Sequence, residues 1–494
     1  MAGLSSTAGA VGAADTTRSF VPDEYAWLLV MSFIFGFANA ISHGRWQPIS
    51  FALLMVGLAV FAWRFVAASR TPADAEPTIA PRLTVGALFA MLLSMPVTAF
   101  FDPTILAQPA HPMTAVRVAQ VASLLLIASY APFLSGRRQE SERLRTARFV
   151  AFALVLLFAG VAVIHITPSP GIDVWTIEMK GGEVLLDGKN PYVWATVPDT
   201  DPQSDFTVPF VYPPAAAYLA AVGIAVFGDI RYMLLGGMFA AGLALRFIAR
   251  RASARSGRAV PSILEDAPAL FFWQTPMLVM VVELSWIDPL QLMLICGGLA
   301  AYVADRRTLA AIAFGIAVSS KQTMFWVFPL AALVLRFDLR RWIVMGLSAL
   351  VPVLPFMVWD FKALKHANFD FMTTLPARHD ALCFTNAVWK WSHATFPHVV
   401  GFLLAAVLVA VACGRALAGR FRLLAVLAPA ASRPILDFAL ALALTYFVFF
   451  FFNRWAFANY YFLLTGLAAL GAAAALHRAV SAEGCVAAPR RTTP

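Results

Sequence analysis

Apolar runs of about 17–21 residues recur along the whole chain, each long enough to cross a hydrocarbon core of roughly 30 Å as a helix. Backbone groups in lipid have no water to bond, so such runs must satisfy their N–H and C=O groups internally, which an α-helix does. Short arginine clusters separate the runs: Arg137, Arg138, Arg143, Arg145 and Arg148; Arg250, Arg251, Arg255 and Arg258; Arg306 and Arg307; Arg340 and Arg341; Arg415, Arg420 and Arg422. Basic loops of this kind stay in the cytoplasm. Of the 494 residues, 60% are hydrophobic and 13% charged, against roughly 45–50% and 25% in a soluble domain. Lipid must therefore be the solvent for much of the surface. The net charge of +10 follows from the loop clusters and needs no nucleic-acid partner.

The chain reads as all-α, a polytopic transmembrane helical bundle of about fourteen spans. They fall at 25–42, 49–68, 83–100, 115–135, 148–166, 231–249, 266–282, 287–304, 308–318 (short), 323–337, 341–359, 398–418, 434–452 and 459–477. The stretch Val211–Gly228 is apolar, but counting it as a span would put the Arg250–Arg258 cluster outside. It is expected to lie at the outer interface as a helix begun by Pro213 and Pro214, which suit a first turn. Both termini are then cytoplasmic, and two large outer loops result, at 167–230 and from about Asp360 to Pro397. All six lysines fall on the outer side, and so do seven of the eight histidines, His477 being the exception. The first twenty residues, with Arg18 alone for charge, lack a signal peptide's basic start. Cys296 and Cys413 lie in apolar runs, Cys383 in a loop and Cys485 in the tail, which suggests neither a disulfide framework nor a zinc site.

Chemistry is sought on the outer side. Asp173 follows the fifth span and can serve as a general base or as the cap of an amphipathic helix at Val174–Leu186; Glu178 lies one turn further on. Asp199 and Asp201 have the spacing of a metal-binding pair but sit in a polar loop that suits a solvated turn. Glu283 and Asp288, in VVELSWIDPLQ, are carboxylates between two spans, where acids are rare and functional by default, although a hairpin also needs polar turn residues. Lys321 and Gln322, in SSKQT, interrupt an apolar stretch. A helix break there would offer Lys321 to a lipid-linked phosphate, whereas a plain helix end would let it snorkel. Asn453 and Arg454, in FFNRWAFANYYF, are set among aromatics; the guanidinium fork binds phosphate, and the aromatics anchor at an interface.

The order of an Asp after an early span, LLDGKNPY, FVYPPAAAYL with Tyr212, SWIDPLQ, SSKQT and NRWAFANYYF resembles the GT-C superfamily of integral membrane glycosyltransferases over residues 150–475. It is most similar to polyprenyl-phosphomannose-dependent bacterial mannosyltransferases and the group related to the second mannosyltransferase of GPI assembly. The resemblance implies a polyprenyl-phosphate sugar donor, a lipid-linked or glycan acceptor, transfer at the outer face of the inner (plasma) membrane, and Asp173 as the catalytic carboxylate. Lys321 and Arg454 would then hold the donor phosphate, with Glu178, Tyr212, Glu283, Asp288, Gln322 and Asn453 as further site residues. The chain divides into a tail and four extra helices (1–147), a GT-C-like core (148–360), a second loop with the last spans (361–478) and a short tail (479–494). Those extra helices depart from the pattern, as does the missing Gly-Gln before Asp288. No cofactor is indicated; a divalent cation stays open. The rival reading is a transporter or flippase of a lipid-linked or anionic substrate, which accounts for Lys321 but not for the long acidic loop.

Overall fold

The computed structural model describes residues 23–70, 82–102, 110–134, 140–198, 207–256, 262–397, 399–418 and 434–486. The metal-pair candidates Asp199 and Asp201 lie outside the described residues. Apart from one two-stranded pair, β1 (Thr196–Pro198) against β2 (Thr207–Pro209), the elements are helices. Four precede the putting together of the core: α1 (Asp23–Ser42), α2 (Pro48–Arg70), α3 (Arg82–Phe101) and α4 (Thr114–Ala128). Then come α5 (Glu142–Ile166), α6 (Asp173–Leu186), the single turn α7 (Pro191–Trp194), α8 (Pro214–Phe227) and α9 (Arg231–Ser256). The middle of the chain is broken into α10 (Ser262–Trp273), α11 (Leu278–Glu283), α12 (Asp288–Val303), α13 (Arg307–Val318) and the turn α14 (Val327–Pro329). The last part holds α15 (Leu339–Leu350), α16 (Leu354–Lys365), the turn α17 (Phe371–Thr374), α18 (Phe384–Ser392), α19 (Val399–Ala418), α20 (Pro434–Phe451) and α21 (Ala458–Val486).

Among the described residues, nine helices are long and apolar enough to cross a membrane, or ten if the bent pair Leu339–Leu350 and Leu354–Thr374 is one span. The sequence pattern led to about fourteen, and the difference has local causes. The segment 266–282 is two helices, α10 and α11, parted at Gln274–Met277. Helix α12 has 16 residues, which reach only about 24 Å at 1.5 Å per residue. Helix α13 stops where Ser319 and Ser320 turn their hydroxyls back onto the carbonyls of Ile316 (3.1 Å) and Ala317 (2.7 Å), competing with the helix ladder. The segment after it runs as 3-10, α and π turns from Gln322 to Val334. Between α15 and α16 the chain bends by 53°, and Asp360 is non-helical inside α16, its carboxylate capping Ala363 N at 2.9 Å.

Helix α8 is as expected from its prolines: Pro213 is the N-cap, Pro214 opens the first turn, and Gly228 closes it at φ +77°. Its 14 residues reach about 21 Å, short of a crossing. It packs instead along α6. Gly181 and Gly182 make that close approach possible, since a Cβ on Gly182 would lie 2.9 Å from the Ala220 backbone.

Polar contacts show which helix ends meet. At one end, the arginine end, Arg145 pairs with Glu265, Arg148 with Glu140 (2.5 Å), Arg246 with Asp266 (2.6 Å) and Arg250 with Glu142. Tyr130 donates to Asp266 at 2.7 Å and Tyr25 to the Leu264 carbonyl at 2.7 Å. This gathers the starts of α1, α5 and α10 with the ends of α4 and α9. The opposite ends of α5 and α9 are joined by Arg231, discussed below. Helix α1 lies along α21, the most enclosed of the nine long apolar helices, and so packs toward the bundle's interior.

The α1–α2 turn reaches the start of α21. Trp46 N donates to Asp380 O at 2.7 Å, and Gly44 sits at φ +71° with its Cβ position 2.7 Å from Ala458 N. Only glycine meets both demands without strain. Gly44→Ala should destabilise the protein by about 1–3 kcal/mol. Thermal unfolding in detergent measures this; an unchanged midpoint would show that the turn yields.

Candidate functional site

At the end of the bundle opposite the arginine cluster, five chain segments meet. Helix α6 brings Asp173 and Glu178. The YPP segment brings Tyr212. The α11–α12 turn brings Ser285 and Asp288, and the break after α13 brings Lys321; α21 closes the site with Asn459 and Tyr460.

Arg231 fixes the entry. Its guanidinium is 1% exposed, lies 3.1, 3.0 and 2.6 Å from the Asp229 carboxylate in a fork and donates to the Thr167 carbonyl at 2.7 Å. It also lies 5.5 Å from the Trp175 ring. One side chain thus ties the end of α5, the first turn of α6 and the start of α9, and so orients the turn that carries Asp173. Asp173 is the first residue of α6 rather than its cap: Ile172 is the N-cap, and Asp173 Oδ1 accepts from Val174 N at 2.9 Å.

Glu178, Gly181 and Gly182 are spaced i, i+3, i+4 and share the helix face turned to α8. Glu178 is consequently 1% exposed. Its Oε2 accepts from Ser285 Oγ at 2.5 Å, while Oε1 is buried without a hydrogen-bond partner among the described residues. Burial holds this carboxyl well above the usual carboxylate range; the Ser285 bond and the Lys321 charge oppose that rise, and Asp229 and Asp288 add to it. Ser285 itself is fully buried at φ +57°, a conformation that costs a serine about 1–3 kcal/mol and clusters at functional sites. Tyr212 stands among the acids: burial raises its phenol well above the ordinary value, and Glu178, Asp173, Asp288 and Tyr460 raise it further. Its carbonyl accepts from Tyr192 Oη at 2.8 Å.

Asp288 and Lys321 form a buried pair. The carboxylate is 0% exposed and the lysine 6%. Lys321 Nζ lies 2.8 Å from Oδ1 and 2.9 Å from Oδ2, Asn459 Nδ2 donates to Oδ2 at 3.1 Å, and the ammonium stands 4.9 Å from the Tyr460 ring centroid. Gln322 bonds the Val211 carbonyl, and Ala215 N donates to the Ser319 carbonyl at 3.1 Å. The helix break and the YPP segment are therefore stitched together through main chain. Gln291 Nε2 donates to Ser320 Oγ at 3.3 Å, holding the break to α12 as well.

The remaining candidates are placed differently. Glu283 is fully buried at the end of α11. Arg454 donates to the carbonyls of Met372 (2.7 Å) and Thr373 (3.3 Å), and Asn453 Oδ1 accepts from Arg454 N at 2.7 Å. With Trp455 Nε1 donating to the Pro376 carbonyl at 2.6 Å, this segment braces the second long loop. Among the described residues no three His, Cys, Asp or Glu side chains gather as a metal-holding group. Sequence reasoning passed over Arg231, Ser285, Asn459 and Tyr460. A signal existed for Asn459, polar within the otherwise aromatic FANYYF, and for Ser285 between two acids in ELSWID. Compared with protein-family models, curated proteins and solved structures, the chain finds no match.

Lys321→Met leaves Asp288 buried without its counter-charge and should cost about 3–5 kcal/mol. The double change Asp288→Asn with Lys321→Met should recover most of that loss. Equal midpoints for the single and double variants in denaturant unfolding would show that the pair carries no such coupling.

Proposed function

We propose that this chain is an integral-membrane glycosyltransferase of the GT-C type, moving a hexose or pentose, mannose by resemblance, from a polyprenyl-phosphate donor to a lipid-linked or glycan acceptor. The observation that carries the reading is the convergence of Asp173, Glu178 and Asp288 around Tyr212, with Lys321 beside them, at the end of the bundle away from the arginines. A bundle end that collects acids, a buried cation and an aromatic hydroxyl suits the recognition of a polyhydroxylated phosphate ester.

The step is a single displacement. Asp173, at the rim of the site, takes the proton of the acceptor hydroxyl, whose oxygen bonds to the anomeric carbon. The bond from that carbon to the phosphate oxygen breaks, the phosphate leaves with the electron pair, and the anomeric configuration inverts. Charge grows on the phosphate, so fixed cations there lower the barrier. Two of the three ammonium protons of Lys321 are directed at Asp288, leaving one for the leaving group. Arg454 is turned to the carbonyls of Met372 and Thr373 in the second long loop, so the phosphate role falls to Lys321. The polyprenyl tail lies between helices against their phenylalanines.

We place the site on the non-cytoplasmic face of the inner (plasma) membrane, with both termini cytoplasmic and α8 at the interface. Basic loops at the opposite end support this orientation. The first helix starts at the arginine end, where Tyr25 meets Leu264. The last helix starts at the Lys321 end, where Asn459 meets Asp288, and runs back. Ser392→Cys should accordingly react with an impermeant thiol reagent from outside, and Arg306→Cys only after permeabilisation. The reverse pattern inverts the scheme.

A transporter reading is favoured by one feature, the 53° bend between α15 and α16, since broken helices line transport sites. Turnover separates the two. Asp173→Asn keeps the shape of the side chain and its bond to Val174 N, so the variant should fold normally. Loss of the general base should cut sugar transfer from purified polyprenyl-phosphate sugars at least a hundredfold. Near-normal transfer by Asp173→Asn removes Asp173 as the base. Substrate flux across proteoliposomes without any glycosidic product would establish the transporter instead.

A further inference from the structure

Of the three acids carried by α6, Glu183 is exposed, and Asp173 and Glu178 occupy different surroundings. Asp173 sits in the first turn, part-buried beside the loop. Glu178 lies more than one turn deeper, on the face closed by α8, and no ammonium or guanidinium among the described residues is hydrogen-bonded to it. Each group around it can be named. Ser285, from the α11–α12 turn, bonds Oε2. Asp229, from the α8–α9 turn, is a second acid and is itself engaged by Arg231. Asp288, from the start of α12, is a third and is engaged by Lys321. Tyr212 is the neighbour from the YPP segment. With two acids on its flanks, and with Lys321 already bonded to Asp288 and Arg231 to Asp229, an ionised Glu178 would be poorly compensated. Burial and the neighbouring acids hold the Glu178 carboxyl well above the usual carboxylate range, and a neutral carboxyl gains an O–H donor.

We propose that Glu178 is a hydroxyl-binding residue of the site: Ser285 holds its Oε2, and its buried Oε1 meets a hydroxyl of the sugar carried by the lipid-linked donor. This rests on the sugar-transfer reading above and specifies which residue recognises the sugar. The geometry behind it is the buried Oε1, without a partner among the described residues, next to a Ser285 kept at φ +57°. A buried polar atom without a partner costs free energy, and a sugar hydroxyl relieves that cost in the bound state. A site that bonds a substrate hydroxyl also rejects analogues lacking it more strongly than any apolar wall does.

Neutrality has a consequence that needs no substrate. The folded-state pKa of Glu178 is raised above the unfolded value of 4.5. Below that value the carboxyl is protonated in both states and stability is unaffected. As pH rises above it, the unfolded chain releases the proton and the folded one keeps it. Stability then falls until the folded group also ionises. Glu178→Gln should flatten this decline and leave the acid-side midpoint unchanged.

The deciding experiment is a binding titration of the purified full chain in detergent, with decaprenyl-phosphate mannose and, separately, with decaprenyl phosphate, which lacks the sugar. Wild type should bind the glycosylated lipid more tightly. Glu178→Ala should lose about tenfold of that affinity, the worth of one hydrogen bond, and none for decaprenyl phosphate. Glu178→Gln, which still donates, should keep most of it. Equal loss for both lipids, or no loss for either, overturns the proposal, and so does a wild type that does not distinguish them. Binding that follows the expected pattern while no transfer occurs would remove the enzyme reading and leave Glu178 as a sugar contact.

Discussion

The Asp288–Lys321 pair is the interaction on which the site depends, because it joins elements that sequence distance keeps apart. Asp288 opens α12, Lys321 stands in the break after α13, and Asn459, which also bonds the carboxylate, opens α21. Two charges taken out of water repay their desolvation only when geometry is good and the remaining lone pairs are satisfied. Here the carboxylate takes both ammonium contacts and an amide. Moving any of the three segments would strand a buried charge, so the break in α13 is a fixed part of the fold.

The same logic acts at the other end. The acids Glu140, Glu142, Glu265 and Asp266 are paired with Arg145, Arg148, Arg246 and Arg250. This network fastens α5, α9 and α10, and Tyr130 and Tyr25 bring α4 and α1 to it. The bundle thus has two polar ends and an apolar middle, with different chemistry at each. At the arginine end, cations and acids cancel in pairs. At the Lys321 end, Glu178 has no such partner among the described residues, and that is where substrate chemistry is proposed. The N-terminal helices have a role in packing: α1 lines α21, and the turn after it braces Ala458, the residue before Asn459.

How much was legible in the sequence varies with the kind of signal. Long apolar runs with few charges identify helices securely, and the nine that form as single long helices came from such runs. The broken middle did not. Ser319 and Ser320 end a helix by back-bonding to carbonyls, and whether a serine does so depends on what lies behind the turn. At the site, Asp288 and Lys321 stood out as charges in apolar surroundings and Asp173 by its place after a span, while Glu178 and Tyr212 came only with the resemblance. Arg231 did not, because next to Asp229 in a loop it looks like any exposed charge; only the fold buries it against Thr167 and Trp175.

By itself the sequence determined the solvent and the class of structure: in lipid the backbone must be satisfied within helices or closed barrels, unbroken apolar runs of about 20 residues select helices, and the arginines mark one end of the bundle. It also determined α8, through Pro213, Pro214 and Gly228, since backbone restriction is a local property. The tertiary structure alone decided which charges meet. Lys321 selects Asp288 across 33 residues and Asn459 reaches Asp288 across 171, while Arg454 turns to the carbonyls of the second long loop. Electrostatic partnership depends on distance and burial, and neither is written in residue type or spacing.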